Sequence, residues 1–367
     1  MQSINRYHRQ TLLPQIGDLG QSKLASANVL LIGCGALGTV IADQLTRAGI
    51  GHLTIIDRDV VELTNLQRQI LFDESDAAAG LPKSIAAANR LKAINSTITI
   101  TPIVADIHPG NIEDFLTDPS RTFIAGGGSP GSDFLNPTHQ SIQPDLIFDG
   151  TDNAETRYLI NDAAVKHSIN WIYGAAIATQ GRAMPIRPNI TPCLRCIFPD
   201  PPSPGELPTC DTAGVLAPAA AIVASLQTTL GLKLLLNAQL DSQLISLDVW
   251  QNEYRTINIG PKNPACPCCG QKNFEFLNRS IEQSAVQLCG RNAVQIRPQK
   301  SAPVKLADLA HRLAPIAQIH QTDFLLRCQM HQEPTLSLTI FPDGRTIVHG
   351  TQDIAQARSL VSRYIGS

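Results

Sequence analysis

A glycine-rich turn after the first long apolar run constrains the fold of this chain most strongly. Residues 29–32 are apolar and lead into Gly33, Gly35 and Gly38, and a second apolar run ends at Asp57. Gly33 permits a tight turn, Gly35 lets backbone amides approach phosphate oxygens, and Gly38 lets the next helix pack close to the strand. A carboxylate at the end of the second strand suits ribose hydroxyls. The pattern predicts an α/β fold with a doubly wound, Rossmann-like sheet that binds a nucleotide.

Three charged residues further along the chain indicate the kind of chemistry. Arg68, Lys83 and Asp152 would have no task around the phosphates of a nicotinamide cofactor. An enzyme that breaks the bond between the α- and β-phosphates needs cations to neutralise the developing charge and a carboxylate to hold a bridging metal ion. These residues therefore favour nucleotidyl transfer. An NAD-dependent Rossmann oxidoreductase remains the alternative.

Motifs between about residues 5 and 275 resemble the ThiF/MoeB/HesA family, the bacterial relatives of ubiquitin-activating enzymes. The matching segments are residues 6–10, the glycine turn, 65–69, the turn at Lys83, 151–153, 174–176, two cysteine pairs and 210–215. The resemblance implies that the chain uses ATP and Mg²⁺ to adenylate the C-terminal glycine of a ubiquitin-like sulfur-carrier protein of the ThiS/MoaD type. Thiamine thiazole and molybdopterin synthesis both use this chemistry. A non-catalytic scaffold of the same family would be expected to have lost Arg68 or Asp152.

The resemblance also implies a role for each matching position. Gly35 and Lys83 would contact phosphates, Asp57 the ribose, and Asp152 the magnesium ion. Arg9 would reach the phosphates of the opposite subunit, because the family completes its site across a homodimer. The implied nucleotide-binding residues are Gly33, Gly35, Gly38, Asp57, Asn65, Gln67, Arg68, Lys83, Asp152 and Asn153. The implied catalytic residues are Arg9, Arg68, Lys83, Asp152 and Cys210.

Two cysteine pairs predict a structural zinc site. Nine cysteines in a chain expected to be intracellular indicate metal binding or catalysis before disulfides. Cys193 with Cys196, and Cys266 with Cys269, have the two-residue spacing that lets two thiolates meet one Zn²⁺. The zinc would connect segments about seventy residues apart, and four thiolates would leave no open position for catalytic water. Cys268 stands beside Cys269, but the spacing excludes Cys268 from the ligand set.

Cys210 follows a proline-rich stretch, residues 199–209, that predicts an exposed crossing loop. In the ThiF branch a cysteine at this place takes the activated carrier into a covalent linkage, whereas in the MoeB branch the corresponding residue is dispensable for adenylation. Two interpretations of Cys210 therefore remain: it is a nucleophile, or it is a loop thiol without a function.

Two residues near the predicted site are expected to have no catalytic role. Arg58 is expected to be an ordinary surface residue, and Cys34 a small buried side chain.

Charge and hydropathy bear on partners and location. The formal net charge of −2 gives no electrostatic reason to expect nucleic acid or an anionic membrane as partner. The N-terminal residues lack the pattern of a signal peptide, so a cytoplasmic protein is expected. Residues 215–236 are apolar and long enough to span a bilayer. Pro218 and Lys233 within this segment favour a buried helix, which the resemblance places at the dimer interface.

The chain is expected to contain two domains. Residues 1–279 would form the ATP-binding adenylation domain with its four-cysteine zinc site, and residues 285–367 a small α+β domain of unknown role. The expected strands of the second domain are 293–296, 324–328, 336–341 and 346–348, and its expected helices are 304–313 and 354–364. This domain could dock the carrier or a sulfur donor, such as a cysteine desulfurase or a rhodanese. A glycine-rich stretch, residues 124–131, is expected to be a flexible excursion.

Overall fold

A computed structural model describes residues 6–117, 143–202, 210–279, 285–288, 292–297 and 304–366. The glycine-rich stretch 124–131 lies outside the described residues. The described residues form two compact units: those up to Arg279 belong to the first unit and those from Ala285 onward to the second.

The first unit is built on an eight-stranded sheet. Its strands are β1 (Asn28–Ile32), β2 (His52–Asp57), β3 (Thr99–Val104), β4 (Leu146–Asp149), β5 (Asn170–Ile177), β6 (Gln180–Ile186), β7 (Gln243–Asp248) and β8 (Glu253–Asn258). Their order in the sheet is β3-β2-β1-β4-β5-β6-β7-β8. The strands from β3 to β5 in that order are parallel, and β6, β7 and β8 continue the sheet antiparallel. The doubly wound sheet predicted from the glycine turn is confirmed.

Helices cover both faces of this sheet. They are α1 (His8–Thr11), α2 (Gly17–Ser26), α3 (Ala36–Ala48), α4 (Glu74–Ala79), α5 (Lys83–Ile94), α6 (Ile112–Thr117), α7 (Ala154–His167), α8 (Leu194–Ile197), α9 (Cys210–Ala213) and α10 (Ala217–Leu235), with a 3₁₀ turn at Leu63–Asn65. One apolar core lies under α3, α5 and α10, and a second lies under α6 and α7. All five residues of β1 are buried, as expected for a central parallel strand covered on both faces.

The strand order places a ligand crevice between β1 and β4. The chain goes from β1 outward to β2 and β3, and then returns to the other side of β1 as β4. Ligands of open α/β sheets bind at this point, beyond the carboxyl ends of the strands, where the order reverses. The loops after β1, β2 and β4 therefore form the walls of the candidate site.

The long apolar helix α10 packs inside the first unit. It is long and apolar enough to cross a membrane by length and composition, but half of its most apolar window is buried. Its buried residues, among them Val223 and Leu230, join the core shared with α3, and it also contacts β5 and β6. This packing agrees with the predicted buried helix.

The second unit is an antiparallel sheet with two helices. Its strands are β9 (Ala285–Leu288), β10 (Ala293–Ile296), β11 (Ala317–Gln321), β12 (Leu326–Met330), β13 (Ser337–Ile340) and β14 (Thr346–His349), in the order β11-β12-β13-β14-β10-β9. The helices are α11 (Leu306–Leu313) and α12 (Ile354–Tyr364). Leu309 and Leu360 from these helices pack with Leu338 and Val348 of the sheet. The sequence did not predict β9 and β11, and it placed β12 two residues early.

Candidate functional site

The glycine turn between β1 and α3 has the geometry that its sequence predicts. Gly33 has a φ of +90°, and a Cβ there would lie 2.7 Å from the backbone carbon of Gly150. A Cβ on Gly38 would collide with the carbonyl oxygen of Gly33, so α3 approaches β1 through this glycine. Gly35 differs, because its Cβ would make only ordinary contacts, 3.8 Å from Gln69 Nε2. Packing within the chain therefore does not require glycine at position 35, unlike positions 33 and 38, and the missing side chain leaves space in the crevice.

Asp57 ties the end of β2 to the glycine turn. Its Oδ2 accepts a hydrogen bond of 2.6 Å from the backbone N–H of Cys34, and its Oδ1 accepts one of 2.7 Å from the N–H of Asp59. Burial raises the pKa of Asp57, and the nearby Lys83 opposes that shift. A carboxylate has about four lone-pair positions, so capacity remains to accept two ribose hydroxyls.

Lys83 comes from the start of α5 and reaches the same strand end. Its side chain is only 4% exposed, and Nζ donates to Asp59 Oδ2 at 3.2 Å. Its backbone N–H donates to the carbonyl oxygen of Asp59 at 2.9 Å. Asp59 thereby connects the two predicted residues, because its N–H donates to Asp57 Oδ1 at 2.7 Å and its Oδ2 accepts from Lys83 Nζ at 3.2 Å.

The expectation that Arg58 is an ordinary surface residue is wrong. Its side chain is 25% exposed, and Nη1 donates to Asp106 Oδ1 at 3.1 Å. Its Nε lies 3.7 Å from Asp59 Oδ1, and Asp152 also acts on it electrostatically. Burial lowers the pKa of Arg58, but the surrounding carboxylates, led by Asp106, raise it by more. Arg58 is thus a fixed cation at the carboxyl edge of β2 and β3.

A buried ion pair shapes the loop after β4. Asp149 is fully buried and accepts from the N–H and Oγ1 of Thr151 at 2.9 and 2.7 Å. Arg157 Nε donates to Asp149 Oδ2 at 3.2 Å, and its Nη2 donates to the carbonyl oxygen of Thr151 at 2.6 Å. Burial raises the pKa of Asp149, and Arg157 opposes that shift. The loop presents Asp152 on its exposed side, while Asn153 caps α7 through a 3.3 Å bond from the N–H of Thr156.

The segment from residue 65 to 69 divides into structural and accessible positions. Asn65 is buried, and its Oδ1 accepts from the N–H of Glu62 at 3.0 Å, so it caps the 3₁₀ turn. Gln67 is exposed, and Arg68 is half-buried with Nη1 donating to a backbone oxygen, that of Thr64, at 3.0 Å.

Gln69 is a candidate contact that the sequence did not predict. It is 4% exposed, and its Oε1 is buried with no hydrogen-bond partner in the described part of the chain. Its Nε2 lies beside Gly35. A buried polar atom without a partner at a ligand crevice is a candidate contact for the ligand. In the sequence, the one sign that Gln69 contacts the ligand is its position next to Arg68 in the segment 65–69.

Arg9 lies away from the glycine turn of its own chain. On the same short helix, Gln10 Nε2 donates to the carbonyl oxygen of Ala48, at the end of α3, at 2.9 Å. Just before that helix, Tyr7 accepts from Asn95, at the end of α5, at 2.9 Å. The glycine turn is at the opposite end of α3, about 20 Å away for a helix of this length. The structure therefore does not bring Arg9 together with the other predicted residues within one chain.

Four cysteines converge beside the core that α6 and α7 cover. The Sγ atoms of Cys193, Cys196, Cys266 and Cys269 all lie within 4.8 Å of one another. The separations are 4.0 Å for Cys193–Cys196, 3.6 Å for Cys193–Cys266 and 3.4 Å for Cys196–Cys269. Thiolates around a tetrahedral Zn²⁺ are about 3.8 Å apart, given Zn–S bonds near 2.3 Å. The donor set and its spacing therefore fit the predicted zinc.

Cys268 has a different environment from its neighbour. It is fully buried, and its Sγ accepts a hydrogen bond of 3.2 Å from Asn161 Nδ2 on α7. Asn161 Oδ1 also accepts from the backbone N–H of Leu194 at 2.9 Å. The side chain of Asn161 thus joins α7 to both cysteine segments.

Cys210 is the first residue of the short helix α9, whereas the prolines before it predicted an irregular loop at this position. Residues 203–209, which make up most of the predicted crossing loop, lie outside the described residues. The assignment of Cys210 as a nucleophile stays a prediction.

The fold and the site define a nucleotide-binding α/β protein. A glycine turn, a buried lysine and two loops with carboxylates meet where the strand order reverses, and the same unit contains a cluster of four thiols. A model of the ThiF family matches residues 7–268. The chain belongs to the ThiF family.

Two proteins of similar sequence and one solved structure resemble this chain over most of its length. The chain is 39% identical over 363 residues to the sulfur carrier protein ThiS adenylyltransferase of Bacillus subtilis, which covers 98% of this chain and 99% of that protein. It is 33% identical over 278 residues to a sulfur carrier protein adenylyltransferase of Thermus thermophilus, covering 74% and 92% respectively. The solved structure of E. coli MccB with MccA-N7isoASN has a TM-score of 0.58 at 22% identity, over 74% of this chain and 75% of that one. The last comparison supports the fold.

Proposed function

We propose that this protein adenylates the C-terminal glycine of a ubiquitin-like sulfur-carrier protein with ATP and releases pyrophosphate. Contacts around the glycine turn support this proposal: Asp57 accepts from the N–H of Cys34, Lys83 is joined to Asp57 through Asp59, and Gly33 packs against Gly150 just before the loop that bears Asp152. The near full-length similarity to a ThiS adenylyltransferase favours a ThiS-type carrier and the thiamine thiazole route over molybdopterin synthesis.

The reaction is an in-line substitution at phosphorus. The carrier's terminal carboxylate is already ionised at neutral pH, so no general base is needed. It attacks the α-phosphorus, an acyl–phosphate bond forms, and the bond to the pyrophosphate oxygen breaks. Lys83 and Arg68 neutralise charge that grows on the phosphates, and Asp57 holds the ribose. Catalysis is therefore mainly positioning and electrostatic stabilisation.

Asp152 is the proposed ligand for Mg²⁺. Asp152 is exposed on a loop that the Asp149–Arg157 pair fixes, so its carboxylate is accessible to a metal ion. When bound, Mg²⁺ supplies charge neutralisation between the phosphates. The four clustered thiols would hold Zn²⁺ with a structural role.

The position of Arg9 supports a homodimer with a shared site. Because α1 packs at the far ends of α3 and α5, Arg9 cannot contact phosphates bound at its own glycine turn. A second copy could supply it, as the family resemblance implies. The further proposals are a cytoplasmic location and a sulfur-donor partner, such as a cysteine desulfurase or a rhodanese.

Pyrophosphate exchange into ATP tests the assignment, together with the intact mass of a ThiS-type carrier after incubation with MgATP. We expect a carrier–AMP species from the wild type, and an exchange rate lowered about 10²–10³-fold in Asp152→Ala. Asp241→Ala, which removes an exposed aspartate after α10, is the matched control and should retain full exchange. Failure of the wild type to exchange pyrophosphate, combined with tight NAD binding, would instead favour the oxidoreductase alternative. Near-normal exchange in Asp152→Ala would exclude the metal role.

A further inference from the structure

Two carboxylates hold the guanidinium of Arg58 at the outer edge of the candidate nucleotide site. Asp106, which is 9% exposed, accepts from Nη1 at 3.1 Å, and Asp59 lies 3.7 Å from Nε. Asp59 is itself held by Lys83, whose Nζ donates to it at 3.2 Å. The plane of the guanidinium is thus fixed, and a quarter of the side chain remains accessible.

The strand order indicates which part of a nucleotide would meet this cation. Phosphates bind at the glycine turn after β1, and the ribose binds at the carboxylate that ends β2. A nucleotide that follows this direction continues toward β3, the next strand outward. Asp106 lies just beyond the end of β3 and Arg58 just beyond the end of β2. This direction would place the base, and not the phosphates, next to Arg58.

We propose that Arg58 binds the adenine base by stacking the face of its guanidinium on the purine ring, an inference that rests on the proposed use of ATP. Planar guanidinium groups stack on aromatic faces and on nucleic-acid bases, whereas the compact ammonium of lysine stays strongly hydrated. The two carboxylates engage the nitrogens of Arg58 at the edge of the guanidinium, so the purine ring would lie against its flat face. Arg58 is thus a specificity residue for the base, although it shares Asp59 with Lys83 and lies within electrostatic range of Asp152.

Arg58→Lys tests the stacking while keeping a cation beside Asp106 and Asp59. Calorimetric titrations with MgATP and with inorganic tripolyphosphate, both in the presence of Mg²⁺, separate base binding from phosphate binding. We expect the Kd for ATP to rise about 3- to 30-fold, the usual range for a cation–π contact, while the Kd for tripolyphosphate is unchanged. Arg47→Lys is the matched control, because Arg47 is 60% exposed on α3 and its ion pair among the described residues is the local one with Asp43.

Each result bears on the proposal. A selective loss of ATP affinity in Arg58→Lys, with the melting temperature of the wild type and no effect in Arg47→Lys, supports it. Unchanged ATP affinity in Arg58→Lys overturns it, since charge alone would then suffice. An equal loss for ATP and tripolyphosphate also overturns it, because Arg58 would then act on the phosphate loops. If the wild type binds tripolyphosphate but not ATP, the proposed function itself fails.

Discussion

The adjacent cysteines Cys268 and Cys269 allow a sharp test of the zinc site. Cys269 Sγ lies 3.4 Å from Cys196 Sγ, within the four-thiol cluster. Cys268 is also buried and interacts with Cys193, but its Sγ accepts a hydrogen bond from Asn161 and is not one of the four thiols that lie within 4.8 Å of one another. Cys269→Ser should therefore lose zinc, and Cys268→Ser should keep it.

The expected cost follows from the length of chain that the metal closes. The facing thiols are 73 residues apart in both Cys193–Cys266 and Cys196–Cys269. Cross-linking a loop of this length removes about 4 kcal/mol of chain entropy from the unfolded state. A stable protein of ordinary size has only about 5–15 kcal/mol in total. Loss of the cross-link should lower the Tm by about 8–16 °C, at about 2–4 °C per kcal/mol for a unit of this size.

The assay combines metal content with thermal unfolding. Inductively coupled plasma mass spectrometry should find a zinc ion per chain in the wild type and in Cys268→Ser, and much less in Cys269→Ser. Scanning calorimetry should give the lowered Tm for Cys269→Ser alone, and chelation of the wild type should reproduce it. Loss of zinc from Cys268→Ser would show that the ligand set is wrong, and loss of zinc from Cys269→Ser with no change in Tm would show that the metal does not stabilise the fold.

Three further predictions concern other parts of the protein. Cys210→Ala should still form the carrier–AMP species but no covalent carrier–enzyme adduct in intact mass spectra; an adduct that persists would exclude Cys210 as the nucleophile. When the inactive Arg9→Ala and Asp152→Ala proteins are mixed and their subunits reassort, half of the dimers should contain one subunit of each kind, and each such dimer has one complete site out of two. The mixture should therefore regain about a quarter of the wild-type pyrophosphate-exchange activity, and no recovery would argue against a shared site. Arg157→Met should lower the free energy of unfolding by about 3–5 kcal/mol in urea titrations, because it leaves the buried Asp149 unpaired; a loss below about 1 kcal/mol would show that this pair does not stabilise the loop.

The sequence predicted those parts of the site in which short spacing determines geometry. The turn at Gly33 needs a positive φ, and the close approach of α3 needs Gly38, so both could be inferred from their positions alone. The two Cys-x-x-Cys spacings likewise place thiols on the same side of a tight turn. In each case the geometry depends on only a few neighbouring residues, so the local sequence is enough to predict it.

The parts that the sequence missed depend on contacts between distant segments. Arg58 looked like a surface residue because its partner Asp106 is 48 residues away, at the end of a different strand. The burial of Gln69 against the glycine turn also needs the fold before it can be seen. In the second unit, β11 was missed because only Ala317 is buried along it, so its apolar signal is weak.

One helix links the two sites that the sequence presents as separate. Asn153 caps the start of α7 beside the loop that carries Asp152, and Asn161, eight residues on, bonds Cys268 and Leu194 at the cysteine cluster. The adjacent Asp162 accepts from the N–H of Phe276 at 2.8 Å, which ties the segment after the second cysteine pair to the same helix. The two ends of this connection are about 12 Å apart along a continuous helix. Zinc loss should therefore loosen the loop of Asp152, the proposed magnesium ligand, and Cys269→Ser should lower pyrophosphate exchange at temperatures well below its Tm, although the four clustered thiols lie two turns of α7 away from that loop. Full exchange activity in zinc-free Cys269→Ser would show that α7 holds its position without the metal.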